Sequence, residues 1–167
     1  MRWKRRTLAR LAGALAAAAA GVLAPDPAAA QTCERNIYAD VVAFDQPIFY
    51  NRLGAREPEG MMYALLQDVE AQPGQTFSPG KIRLRPNKRP RPLVLRANVG
   101  DCLRIHLLNY LDPTARSNQP ATRKISAHVT GMQLVNGIRD DGSFVGANTS
   151  SLIAPGQDTS YTFYAER

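Results

Sequence analysis

The sequence predicts an all-β fold, an antiparallel β-sandwich. Three observations lead there. In Leu103–Asn109, Leu103, Ile105 and Leu107 share one face while Arg104 and His106 share the other. A period of two with one apolar face marks a half-buried strand. The same alternation runs through Leu93–Ala97 and through Thr159–Ala165. Turn chemistry separates such runs, as at Asn98-Val99-Gly100-Asp101, where Gly100 is free to take a positive φ. The longer apolar face needs a second layer to cover it, which makes a sandwich the natural architecture.

Taken in order, the chain opens on a leader. Arg2, Lys4, Arg5 and Arg6 form a basic start, Leu11 to Ala24 an Ala-rich apolar core, and Ala28-Ala29-Ala30 a small-residue cleavage site. Together they read as a secretory signal peptide over residues 1–30, the alternative being an uncleaved amphipathic anchor. The core is too short for a transmembrane segment. Arg5-Arg6-Thr7-Leu8 carries the paired arginines of a twin-arginine signal without the rest of that motif. The leader holds five of the 21 basic residues and one of the 14 acids. Residues 31–167 therefore keep 16 against 13, a net charge of +3, which gives no argument for nucleic acid. Those 137 residues suit one exported domain, periplasmic or secreted.

Cys33 and Cys102 both lie beyond the leader. In an oxidising compartment an even pair suggests one disulfide, the alternative being two free thiols. Cys102 lies on the face opposite Leu103 and Ile105, so it can reach a segment outside the core. Ile37–Phe44 is rich in β-formers and reads as a strand that Asp45-Gln46-Pro47 breaks. Met61–Leu66 fits strand or helix by pattern, and strand is preferred. Residues 70–80 hold Pro73, Gly74, Pro79 and Gly80 and form a loop. Lys81–Pro92 packs six basic residues among three prolines. It reads as a solvated loop whose prolines block edge pairing. The alternative is a docking patch for an acidic partner. Ile125–Val129 returns as strand, and Pro155-Gly156 is a turn before the strand Thr159–Ala165. Nothing in the sequence caps that last strand, so the sandwich is expected to be incomplete at its C-terminal edge, as in the front part of a longer protein.

Chemistry is sparse. There are two histidines, His106 and His128. No Gly-x-Ser-x-Gly elbow and no phosphate-binding glycine loop exists. Asp140-Asp141-Gly142 lacks the alternating ligands of a calcium loop and reads as a turn. His106 sits beside Arg104 and reads as a surface histidine. His128, in a strand running into Thr130-Gly131, is the candidate metal ligand, because a sheet fixes the direction of its imidazole.

Three stretches then match a known pattern. Arg91–Asn109, Ile125–Gln133 and Ala154–Ala165 resemble the first cupredoxin-like domain of multicopper oxidases, over about half of residues 31–167. Gly100-Asp101 followed by Leu103–Asn109 looks like the family's strand pair, which closes on Asn. Ala127-His128-Val129-Thr130-Gly131 falls at its His-x-His-Gly motif, and Pro155-Gly156 at its Pro-Pro-Gly turn. Two phrases, Asp45–Gly54 and Gly146–Leu152, also look like the large bacterial multicopper-oxidase-like proteins.

The resemblance implies a cupredoxin-like, Greek-key sandwich. It makes His128 a ligand of the oxygen-reducing copper cluster. The motif's second histidine is Thr130 here, and a hydroxyl is a poor substitute for imidazole toward copper. The family's later histidine motif and type 1 copper ligands have no counterpart in these 167 residues. Copper is therefore expected only where further cupredoxin domains or another subunit complete the centre. As an oxidoreductase, the protein would act only in that longer or assembled form. The alternatives are a copper-free periplasmic β-sandwich for assembly or partner binding, and a truncated, inactive remnant.

Overall fold

The computed structural model of the chain describes residues 31–114, 122–143 and 150–166. The leader and most of the Gly146–Leu152 phrase lie outside the described residues. The described residues are all-β. Strands β1 (Arg35–Asp45), β4 (Met61–Leu65), β7 (Asp101–Asn109), β8 (Gln133–Leu134) and β9 (Asp158–Tyr164) form one sheet in the order β4-β1-β7-β9-β8. Two small hairpins stand apart from it: β2 (Ile48–Phe49) with β3 (Arg56–Glu57), and β5 (Val69–Ala71) with β6 (Ile82–Leu84). Short 3₁₀ turns at Leu66–Asp68 and Gly137–Asp140 are the described helical segments.

The sheet is mixed, which corrects the antiparallel expectation. β1 runs parallel to β7, from Arg35 opposite Asp101 to Ala43 opposite Asn109. The other three pairings are antiparallel. A parallel pair cannot be joined by a tight turn and needs a long crossover. Residues 46–100 supply it.

That crossover explains a second correction. Leu93–Ala97 was expected as a strand and is not one. Pro86, Pro90 and Pro92 remove backbone donors just upstream, so the segment builds no ladder. Its alternation survives as packing: Leu93 and Leu95 rest half-buried on the sheet, while Val94 and Arg96 face out. Ile125–Val129 is also not a strand. It makes a single bridge, Ile125 to Ile153, and lays Ile125, Ala127 and Val129 on the same core.

The expected unfinished C-terminal edge is a third correction. β9 lies between β7 and β8, so it is an inner strand. Gly100 N–H also donates to Ala165 O at 2.8 Å and Ala165 N–H to Asp101 O at 3.0 Å. The reason was invisible in sequence, because β8 is only two residues long.

One sheet face carries Ala39, Val41, Leu103, Ile105, Leu107, Tyr161 and Phe163 beneath these cover segments. The other face divides. Val42, Phe44 and Leu108 lie under the β5–β6 hairpin with Val69 and Ile82. Toward the start of β1 the same face is open, with Tyr38 exposed beside Asp40. β1 thus alternates in its first half and is buried on both faces in its second.

The start of the parallel pair is pinned three ways. Cys33 and Cys102 form a disulfide with Cα atoms 5.3 Å apart. Arg35 grips the buried Asp101 with both arms, Nε to Oδ1 at 2.9 Å and Nη2 to Oδ2 at 2.6 Å. That grip, with the Asn98 N–H, holds the Asp101 carboxyl below its usual range. Glu34 N–H donates to Gly100 O at 2.8 Å. Gly100 has φ +90°, the left-handed region that favours glycine, and a Cβ there would also displace the Glu34 carboxyl group.

At the far end of β7, the buried Asn109 ties three segments together. Its Nδ2 donates to Arg123 O at 2.9 Å and Ile153 O at 2.8 Å, and its Oδ1 accepts from Leu111 N–H at 3.0 Å.

The disulfide closes a span of 69 residues, so removing it frees much unfolded-chain entropy. Replacing both cysteines (Cys33→Ser, Cys102→Ala) is expected to lower unfolding free energy by about 4 kcal/mol on the loop-entropy account. Urea titration of both forms measures this. An unchanged midpoint would show that the other two pins suffice.

Candidate functional site

His128 lies on the cover segment, which two contacts hold in place. Ile125 and Ile153 exchange backbone bonds at 3.1 and 2.8 Å, and Tyr63 Oη donates to Ser126 O at 2.9 Å. The His128 side chain is 53% exposed. Its Nδ1 is 2.8 Å from Asp141 Oδ1.

Asp141 is fixed as an anion. Ser143 donates its N–H to Oδ1 at 2.8 Å and its hydroxyl to Oδ2 at 2.7 Å. Those two bonds and then the one to His128 hold the Asp141 carboxyl below its usual range. A carboxylate partner assigns the proton of a neutral imidazole to Nδ1 and leaves the Nε2 lone pair pointing away. This carboxylate–histidine arrangement is how proteins brace metal-ligating imidazoles.

Gly142 makes the arrangement possible. A Cβ there would sit 1.7 Å from Ala127 O, so the Asp141 loop touches the His128 segment backbone to backbone. The neighbouring Asp140 does structural work. Its buried carboxylate accepts from Asn136 N–H at 2.6 Å and Thr162 N–H at 2.8 Å, tying the 3₁₀ turn to β9.

Asp140 ends the 3₁₀ segment and Asp141-Gly142 continue as irregular, extended backbone, so the expected turn is not formed there, and the service of Asp141 to His128 was missed. No spacing signal links positions 128 and 141; only the fold does.

Thr130 is exposed nearby. Among the described residues no three His, Cys, Asp or Glu side chains converge as a metal cluster. The described residues do not by themselves supply the donor set of a copper centre.

Behind His128 lies a cavity of about 760 Å³ between sheet and cover. Its floor is Val41, Leu103, Ile105 and Leu107, and its walls include Leu95 and Val129.

His106 is a surface residue as expected, but not an idle one. Its Nδ1 is 3.2 Å from Asp40 Oδ1 and its Nε2 3.0 Å from Asp158 Oδ2. One imidazole thereby bridges β1, β7 and β9. The bond to Asp158, aided by Asp40, raises its pKa above the ordinary value. These partners lie 66 and 52 positions away, so sequence spacing could not show them.

No family model matches this chain, and no curated protein matches it.

Two outcomes follow from this geometry. A histidine whose folded pKa is raised stabilises the fold below its unfolded value of about 6.5, and that gain is lost as pH rises through the folded value. His106→Gln should therefore cost about 0.2–1 kcal/mol at pH 5.5, the range of an exposed ion pair, and nothing at pH 9. Denaturant unfolding at both pH values checks the sign. Gly142→Ala should cost about 1–3 kcal/mol by forcing the two backbones apart. It should also shift the His128 ring resonances, because Asp141 is displaced with the loop.

Proposed function

We propose that this chain is a cupredoxin-like module of a copper-dependent oxidoreductase of the multicopper-oxidase type. It serves as scaffold and lends His128 to a centre whose other ligands come from further cupredoxin domains or another subunit. The observation that carries this is the half-exposed imidazole braced at Nδ1 by a fixed carboxylate, a contact that does not engage Nε2. The sequence likeness around Gly100-Asp101, His128 and Pro155-Gly156 supports it. So does the layered arrangement of a sheet under strand-patterned cover segments, read as a Greek-key sandwich whose second layer is loosely made.

The Cys33–Cys102 bond supports export by the leader, since disulfides persist in oxidising compartments. No described helix is long and apolar enough to cross a membrane. When bound, copper would supply one-electron chemistry toward oxygen. This chain's own part is to position one imidazole and hold its tautomer.

A second reading is a copper-free β-sandwich for assembly or partner binding. Thr130 at the motif's second position favours it, as does the lack of a three-residue cluster among the described residues.

Cu(II) titration of the chain in its longer or assembled form, followed by electron paramagnetic resonance, separates the two. Nitrogen coordination is expected, lost in His128→Ala and kept in His106→Ala. Asp141→Asn should weaken it about 10–100-fold, the usual effect of removing such a brace. A copper signal indifferent to His128→Ala would leave the copper-free reading standing.

A further inference from the structure

The cavity behind His128 has a chemical polarity that copper binding does not use. About 760 Å³ falls within the range of small-molecule sites, roughly 300–1,000 Å³. Its floor and walls are mostly aliphatic, joined by Tyr63 and, at the edge, by His128 and Arg91, and no Asp or Glu lines it. Most of the protein surface that water there would face is apolar, an unfavourable filling.

Cations gather at its rim. Arg91 lines both this cavity and the groove next to it, which also carries Arg89 and Arg96. All three are exposed. None has an ion pair or side-chain hydrogen bond among the described residues. The contrast with the rest of the basic segment is sharp. Arg83 pairs with Glu70 at 2.8 Å, Lys88 with Asp68 at 2.7 Å, and Arg85 donates to Gln67 O at 2.8 Å. Arg83 and Lys88 are thus paired within the fold and Arg85 is held by a carbonyl, whereas the three guanidinium groups beside the apolar cavity have no such partner among the described residues.

We propose that this cavity is a binding site for a long-chain fatty carboxylate. The alkyl chain lies between the sheet and the cover segments, over Leu103, Ile105 and Leu107. The carboxylate meets Arg91 at the rim, with Arg89 and Arg96 adding positive potential. Guanidinium suits this role because its fork matches two carboxylate oxygens. A polypeptide strand would fill the volume less well, since the alkyl chain brings no backbone polar groups into an apolar space. His128 lines the same cavity, but the alkyl and carboxylate contacts proposed here use neither that imidazole nor a metal.

Isothermal titration of the full chain with dodecanoate, below its micelle concentration, tests this. One saturable site per chain is expected. Dodecyltrimethylammonium, with the same chain length and the opposite charge, should bind at least about tenfold more weakly. Arg91→Ala should weaken dodecanoate about tenfold, the value of one charge-assisted bond, while leaving the melting temperature unchanged because the residue is exposed. Equal affinity for the two amphiphiles would overturn the proposal, as would an Arg91→Ala variant that binds dodecanoate like the wild type. Binding to vesicles of anionic phospholipid without saturable dodecanoate binding would also overturn it, and would assign the arginines to a membrane surface.

Discussion

The parallel pairing of β1 with β7 is the constraint on which the rest of the structure depends. It places Ala39 and Val41 beside Ile105 and Leu107, and so builds the floor of the main core. A one-residue slip would turn every one of those side chains to the opposite face. Hydrophobic pattern alone guards weakly against that in β1, because Val41, Val42, Ala43 and Phe44 are buried on both faces. The fixed register comes from the start of the pair, where a covalent bond, a two-armed guanidinium grip and a glycine turn act within a few residues of each other.

The cover layer is built on a different principle. Leu93, Leu95, Ile125, Ala127 and Val129 hold it down by side-chain burial, with little backbone pairing. Such a layer follows the sheet without filling every space above it, which leaves room for the cavity. It also lets His128 stand at the boundary between packed interior and solvent. Polar ties do the work that ladders do elsewhere: Asn109 gathers the segments at one end, and Asp140 and Asp141 anchor the loop at the other.

Much of this was legible from period and turn chemistry. β7 and β9 follow from their alternation and β1 from its β-formers, the strand preferred for Met61–Leu66 is β4, Gly100 and Gly156 take the positive φ their turns require, and the cysteine pair is joined. Those features are local, or nearly so. Direction of pairing is not local, and the alternation of Ile37–Phe44 looks the same beside a parallel or an antiparallel neighbour. Leu93–Ala97 shows the complementary limit. Its pattern reports which side chains are buried, while strand formation also needs donors and a partner that the prolines and the crossover deny it. At the candidate site, His128 could be singled out from its context, whereas Asp141, Gly142 and the His106 partners depend on approaches between distant segments.

The order in which the strands emerge has a kinetic consequence. β1 leaves the ribosome, and any export channel, well before β7, its most extensive partner, which lies 66 positions further on. In that interval β4 is its nearest available neighbour, and Val41–Phe44 presents two apolar faces at once. A nascent strand in that condition is prone to aggregate, and chaperones evolved to shield such segments. Yield in a heterologous host should accordingly be governed less by final stability than by how well this early strand is protected until its distant mate arrives.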